Sequence, residues 1–313
     1  MSMRYFDKIY IINLSWHKKR RETIAAELNS VGWYNYEFID AVAGSQLPST
    51  SEMVRSGTIS NVFKDANGIL TKNIFACSMS HRKAQQKFLD DGLNTYGLNT
   101  CLIIEDDAKF MPVALKMMIA GGMDQLHSEL HSKNWDIFMW GMPHTYCPNW
   151  GLAENCTLLH EFKRMAPEWA AHAYQITRRG ARKLIECNTP IQFAADCNVE
   201  ASDTEIYCPS FSLISQTIGE FNRNIANELM TDFGNKMLHG ESDEYMPSTI
   251  NTVSVQKNTD EYYKTMDKSI TFNNRIRQIE ISGDIELEKV EWHDFITPHG
   301  DKAVNWPHIY LKG

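Results

Sequence analysis

KIYIINLSWHKKRRETIAAELNSVGWYNYEFIDA, residues 8–41, reads as strand, helix, strand. Lys8 to Asn13 is a short continuous apolar run, the pattern of a strand buried on both faces. From Arg20 to Val31 the apolar residues Ile24, Leu28 and Val31 fall at helical spacing. Gly32 follows where glycine commonly ends a helix, and Tyr36 to Ala41 returns to strand character. This alternation opens an α/β fold, a parallel sheet covered by helices on its faces.

The pattern continues outward from that unit. Residues 45–73 are rich in Ser, Thr and Asn and read as a long surface excursion. Ser78 to Asp91 predicts a helix with Ala84 and Phe88 on one face and Gly92 as its stop. Cys101 to Ile104 predicts a central strand that ends abruptly in Glu105-Asp106-Asp107. Trp135 to Trp140 and Ala170 to Thr177 predict further strands, and Arg179 to Glu186 a helix capped by Thr177. After about residue 226 polar residues take over, and Arg275 to Trp292 predicts a β-hairpin turning at Ser282-Gly283-Asp284. The expected organisation is a main domain over residues 1–225 and a C-terminal extension over 226–313 packed on it.

Composition narrows the function. The 313 residues are 43% hydrophobic and 22% charged, near globular averages, which excludes disordered and collagen-like classes. A formal net charge of −8 argues against nucleic-acid binding, which needs a basic footprint. No window is apolar for long enough to span a membrane, and the first residues lack the apolar centre of a signal peptide. The seven cysteines are scattered singly, with no C-x-x-C pair, which argues against a cysteine zinc site and for reduced thiols in the cytoplasm.

The acidic triplet is the strongest chemical signal. Ligands of open α/β sheets bind at the carboxyl ends of strands. Three adjacent carboxylates repel one another there, and a hard divalent cation such as Mn²⁺ or Mg²⁺ offsets the repulsion. Glu105 and Asp107 fall on one side of an extended chain, where an ion between them could meet a diphosphate. A solvated acidic turn is the bland alternative. Ser80-His81-Arg82-Lys83 is expected near a helix start, where backbone N–H groups favour anions; taken alone, the residues read first as an ordinary charged helix face with a structural histidine. The basic runs at 18–21 and 178–179 read mainly as solvated faces. Asp196 follows the apolar-rich PIQFAA and suits general-base work, or caps a turn. His172 reads as a core histidine, and Trp169 as either a sugar-pocket wall or core. No P-loop, nucleophile elbow, H-E-x-x-H or dinucleotide glycine motif occurs.

Six blocks in order resemble glycosyltransferase family 25, the lipooligosaccharide and procollagen galactosyltransferase family. They are IYIINLSWHKKRRETIAAEL, YEFIDAVAG, FACSMSHRKA, CLIIEDDAKF, AHAYQITRRGARKLIE, and PIQFAAD with IYCPSFSLISQ. They cover about residues 5–225. Phe75-Ala76 departs from the family's usual Ile-Gly, and PIQFAAD is less compact than its Pro-x-Asp pattern. The resemblance implies a GT-A-like, Rossmann-type sandwich with a mostly parallel sheet. It also implies a UDP-sugar donor, usually with Mn²⁺, and inversion at the anomeric carbon.

Carried over residue by residue, the resemblance makes Asp107 a metal ligand, with Glu105 sharing the metal and Glu105 or Asp106 the nucleotide. It puts Ser80 and His81 in the donor or acceptor pocket, and Asn13 and Arg21 at the nucleotide. Asp196 becomes the candidate base and His239 a late metal ligand. The implied function is transfer of galactose or glucose to a glycan, lipooligosaccharide or glycoprotein hydroxyl. A lipid-linked acceptor would bring peripheral membrane contact. A non-catalytic nucleotide- or glycan-binding protein is the alternative. A nucleotidyltransferase or sugar-nucleotide hydrolase shares the same metal logic.

Overall fold

A computed structural model describes residues 5–64, 69–94, 97–141, 152–162, 171–209, 212–216, 280–296 and 302–313. The first half of the chain gives β1 (Lys8–Asn13), α1 (Lys18–Ser30), β2 (Tyr36–Asp40), a 3₁₀ turn (Gly44–Gln46), α2 (Thr50–Arg55), β3 (Ile59–Lys64) and β4 (Ile69–Leu70). Then come α3 (Lys72–Asn94), β5 (Thr100–Glu105), β6 (Ala108–Phe110), α4 (Pro112–Ala120), α5 (Gly122–His131) and β7 (Ile137–Met139). The remainder gives β8 (Leu159–Glu161), β9 (Ala173–Thr177), α6 (Arg178–Cys187), β10 (Ile191–Phe193), α7 (Ala195–Ala201), β11 (Ile206–Pro209), β12 (Ile214–Gln216), β13 (Glu280–Ile281), β14 (Leu287–Ile296) and β15 (Lys302–Leu311).

The main sheet runs β2-β1-β5-β9-β7-β11-β8. Alternation along its central strands builds two cores. Ile9, Ile11, Leu102 and Ile104 face α1, α4 and α5, meeting Ile24, Leu28, Ala114 and Leu126. Tyr10, Ile12, Cys101 and Ile103 face α3 and α6, meeting Ala84, Phe88, Ala181 and Leu184. With both faces covered, β1 and β5 read as continuous apolar runs. The α1 stop follows the expected chemistry. Gly32 has φ +78°, and Trp33 N–H reaches back to Leu28 O at 3.0 Å, closing the helix with both side chains in the core.

Three sequence expectations need correction. The sheet is mixed rather than mostly parallel. β9 runs antiparallel to both β5 and β7, and β8 antiparallel to β11. No helix among the described residues lies between β7 and β9, so nothing imposes the crossover that parallel neighbours need. The excursion at 45–73 is structured. Ser49 and Glu52 form a reciprocal capping box that starts α2, and β3 follows. The hairpin is displaced. The chain turns at Ser282-Gly283-Asp284, but β13 pairs in parallel with β4, and the antiparallel pair is β14 with β15.

β15 also pairs with β3, giving a second sheet in the order β10-β3-β15-β14. Its core includes Phe63, Ile191, Phe193, Ile309 and Leu311. α3 joins the two sheets. Phe75, early in the helix, packs edge-on against Phe63, whereas Ala84 and Phe88 pack on the main sheet. The stretch of α3 between them is therefore held from both sides.

One buried group makes stability depend on acid. His127 of α5 stacks on Tyr5 with ring centroids 4.6 Å apart and lies near Phe138 and Trp140. Neither ring nitrogen has a hydrogen-bond partner among the described residues. Burial, helped by the charge of His131, pushes its pKa down to about 3. The unfolded chain therefore takes up this proton first. The contribution of His127 is complete above about pH 6.5 and is lost as pH falls toward 3, by about 1.4 kcal/mol per pH unit for one proton. His127→Phe is expected to stabilise the protein by about 1 kcal/mol at neutral pH and to flatten the acid limb. Urea melts at pH 5 and 7.5 check this. An unchanged difference between the two would remove His127 from the account.

Candidate active site

β1 and β5 are parallel neighbours, with Ile12 opposite Glu105, so their carboxyl ends open together. Asn13 ends β1, and Glu105 ends β5 just before Asp106 and Asp107. α1 brings Arg20 across this mouth. Arg20 and the two aspartates are all buried. Arg20 Nη1 donates to Asp106 Oδ1 at 2.8 Å, and Nη2 lies 3.5 Å from Asp107 Oδ2. Asn13 Nδ2 donates to the other Asp106 oxygen at 2.7 Å. Asp106 is thus fully engaged. Burial raises its pKa while Arg20 and Asn13 oppose the rise.

Asp107 is different. Its Oδ1 is buried with no hydrogen-bond partner among the described residues. Burial first, then the charge of Glu105, push its pKa up to about 8, with Arg20 only partly opposing. A buried carboxylate with an open oxygen and a like charge beside it gains from a cation. The residues fit a hard divalent ion.

Glu105 faces the other wall. His81 Nε2 lies 3.1 Å from Glu105 Oε1, and Gln216 Nε2 donates to Oε2 at 3.2 Å. Burial raises Glu105, but His81, His172 and Gln216 more than offset it and hold its pKa below the ordinary value. The far nitrogen of His81 lies 3.2 Å from the Tyr174 hydroxyl, which also accepts from Gln85 Nε2 at 3.0 Å. His172 is the core histidine the sequence suggests. It is buried, and its Nε2 bonds Ile214 O at 3.0 Å, tying down the strand that carries Gln216.

Arg20, His81, Glu105, Asp106 and Asp107 line a cleft of about 310 Å³. Its remaining wall includes Trp16, His17 and the stretch Ala41 to Ser45. Gly44 lets that stretch press on α3: a Cβ there would sit 2.8 Å from the Asn73 backbone nitrogen. Trp16 is half exposed at the cleft, with 51% of its surface accessible.

The structure brings together Asn13, Ser80, His81, Glu105, Asp106 and Asp107. Ser80 and His81 do not lie at a helix start. α3 begins at Lys72, nine residues before His81, because Ile74, Phe75 and Met79 pack on the second sheet and extend the helix backward. The anion-binding reading of that segment therefore falls. The Ser80 hydroxyl is engaged structurally, donating to Ala76 O and accepting from Val42 N–H. Arg21 does not reach the cluster. It is exposed, with its guanidinium over the Phe38 ring at 4.0 Å, and its neighbour Arg20 takes the buried place. Arg179 engages Asp136 rather than a ligand mouth.

Asp196 sits in the first turn of α7, accepts from Cys197 N–H at 2.8 Å and acts electrostatically on Cys77, a cleft residue. His239 and Trp169 lie outside the described residues.

A sequence profile described as glycosyltransferase family 25 (LPS biosynthesis protein) matches residues 6–199. The chain belongs to glycosyltransferase family 25. The match contains every residue that lines the cleft. A search of curated proteins gives no match. The family is one of glycosyltransferases of lipopolysaccharide biosynthesis, so a sugar donor and a glycan acceptor are the chemistry its members share. No helix among the described residues is long and apolar enough to cross a membrane.

Two residues of this family 25 site carry a usable sequence signal in their helical spacing. Arg20 lies four and eight residues before Ile24 and Leu28, on the buried stripe of α1. Cys77 lies four residues before His81, on the same helix face. Gln216 and Tyr174 had no such signal, because their roles depend on strand pairing.

Proposed function

We propose that the chain transfers a hexose, galactose or glucose, from a UDP-sugar to a hydroxyl of a glycan, lipooligosaccharide or glycoprotein acceptor, with inversion at the anomeric carbon. Family membership supports the transferase class. The observation that carries the rest is the unpartnered, buried Asp107 oxygen beside Glu105 in an open cleft. A GT-A-like reading of the sheet accords with an acidic mouth at the ends of β1 and β5.

In this reading Asp107 holds Mn²⁺ or Mg²⁺, with Glu105 available to share it. When bound, the ion supplies Lewis-acid support for the negative charge on the departing diphosphate. Arg20 keeps Asp106 in place, and Asn13 fixes the orientation of that carboxylate. The apolar wall with Trp16 suits a base or sugar face. Inversion needs a base on the acceptor side, and Asp196 is the proposed one; the acceptor hydroxyl proton would pass to its carboxylate.

Incubation with Mn²⁺ and, separately, UDP-galactose, UDP-glucose and UDP-N-acetylglucosamine tests this. Metal-dependent UDP release from one donor, suppressed by EDTA, is the expected result. Mn²⁺-dependent UDP binding with no release from any donor, even with glycan acceptors added, would favour a non-catalytic binding protein. Free sugar in place of a glycoside, with acceptor present, would point to a sugar-nucleotide hydrolase.

A further inference from the structure

The cleft contains a second set of donor atoms of a different chemical kind. Cys77, His81 and Glu105 each present one ligating atom, and these atoms lie within 4.8 Å of one another. All three residues line the cleft. Cys77 and His81 project from adjacent turns of α3, and Glu105 closes the triangle from the end of β5. We propose that Cys77, His81 and Glu105 form a binding site for a borderline-soft divalent metal, Zn²⁺ or Co²⁺, distinct in chemistry from the hard-cation position at Asp107.

The donor set decides the metal class. Thiolate and imidazole select Zn²⁺ and its neighbours, whereas Mg²⁺ and Mn²⁺ prefer oxygen. Three protein ligands with a fourth position open is the arrangement of zinc sites that also bind a small molecule. Ligand atoms held tetrahedrally at ~2.0–2.3 Å from one ion lie less than about 4 Å apart, so the triangle needs only a small contraction. A fourth ligand would have to come from the cleft, which all three residues line.

The surroundings match those of a metal-ligating histidine. Such a histidine gives its other ring nitrogen to an oxygen partner, which fixes tautomer and ring orientation. Here that partner is the Tyr174 hydroxyl at 3.2 Å, itself held by Gln85. Gln216 occupies one Glu105 oxygen and leaves Oε1 directed at the triangle. α3 is packed against both sheets, so two of the three ligands stand on a rigid element.

The proton balance is explicit. A neutral His81 binding the ion through Nε2 would carry its one ring proton on Nδ1, toward the Tyr174 hydroxyl 3.2 Å away, and the Cys77 thiol would release its proton to solvent. The C-x-x-C spacing used to argue against a cysteine zinc site does not detect this arrangement, in which one cysteine is joined by a histidine one turn on and a carboxylate from another element.

The site shares Glu105 with the proposed hard-cation position but does not depend on the sugar-transfer reading, and its test separates the two. Untagged, metal-free full-length protein is titrated with Co²⁺ and followed by absorption. One equivalent is expected to give a thiolate-to-cobalt charge-transfer band together with the visible bands of four-coordinate cobalt, both removed by Zn²⁺. Cys77→Ser abolishes the charge-transfer band. Tyr174→Phe lowers Co²⁺ affinity by about tenfold or more, as loss of such outer partners does. Asp107→Asn leaves the band in place.

Zn²⁺-loaded wild-type protein, examined by X-ray absorption, needs no variant and is expected to show one sulfur ligand at about 2.3 Å. A wild-type spectrum with only oxygen and nitrogen ligands, or a cobalt band unaffected in folded Cys77→Ser, overturns the proposal. Either result leaves Mn²⁺-dependent UDP release untouched. Absence of UDP release leaves the cobalt spectrum untouched.

Discussion

Asp107→Asn is expected to lower sugar transfer by about a thousandfold and at the same time to raise the melting temperature of the metal-free protein. The two effects have one cause. The Asp107 carboxyl is buried beside Glu105, and its pKa is pushed up to about 8. Its folded value lies above its unfolded one, so the group favours the fold at low pH. That advantage is lost as pH rises from about 4 through 8. At neutral pH, without a cation, the native protein holds a carboxyl that the unfolded chain would ionise freely. Asparagine removes that cost. It also removes the charge that would hold the ion, and Lewis-acid support for a leaving diphosphate is worth several kcal/mol, roughly tenfold in rate for each 1.4.

Thermal melts of both proteins at pH 5 and 8, with and without Mn²⁺, check the stability half. The variant is expected to gain at pH 8, to show little gain at pH 5, and to lose the Mn²⁺-induced rise of the wild type. Near-normal transfer by Asp107→Asn would end the metal assignment.

The second large effect is on folding. Arg20→Met removes the counter-charge of Asp106, which stays buried and bonded to Asn13. Breaking one partner of a buried pair costs about 3–5 kcal/mol, because the remaining charge has nowhere to go. The deficit should depend on pH in a defined direction. Burial already raises Asp106, and Arg20 opposes that rise. Without Arg20 the folded value climbs further above the unfolded one, so the variant loses most stability at neutral pH and recovers part of it near pH 4. Adding Asp106→Asn to Arg20→Met is expected to restore much of the loss, since the amide carries no charge to strand. Denaturant melts of the three proteins at pH 4.5 and 7.5 test this, and an identical deficit for the single and double variants would contradict it.

The legible parts of this fold are those governed by local periodicity. β1 and α1 follow from runs and spacings within a dozen residues, and Thr177 caps α6 through the Gly180 N–H as expected. The acidic mouth was legible for the same reason, since Glu105-Asp106-Asp107 ends an apolar strand. The reversed direction of β9 was not, because strand direction is set by partners far apart in sequence. Nor was the true start of α3. Lys72 to Cys77 is helix because Phe75 packs on Phe63 of another sheet, a tertiary gain that no window shows. Within the site, the basic run at 18–21 reads mainly as a solvated face, and the resemblance singles out Arg21 rather than Arg20. Only the stripe it shares with Ile24 and Leu28 separates the buried Arg20 from the exposed Arg21.

The second sheet has a consequence for biosynthesis. β3 is hydrogen-bonded on one side to β10 and on the other to β15, a strand that follows it by more than two hundred residues. During translation the helices and strands around the acidic mouth can assemble while that edge of β3 is still open. An unpaired edge is a template for other chains, and the wait lasts until residue 311 clears the ribosome. The closing step joins remote segments and is therefore slow relative to local folding. Expression yield should then be governed less by the catalytic elements than by how quickly the far strand arrives. Slower synthesis downstream of β10, or chaperone capture of the nascent edge, would be the points at which soluble protein is won or lost.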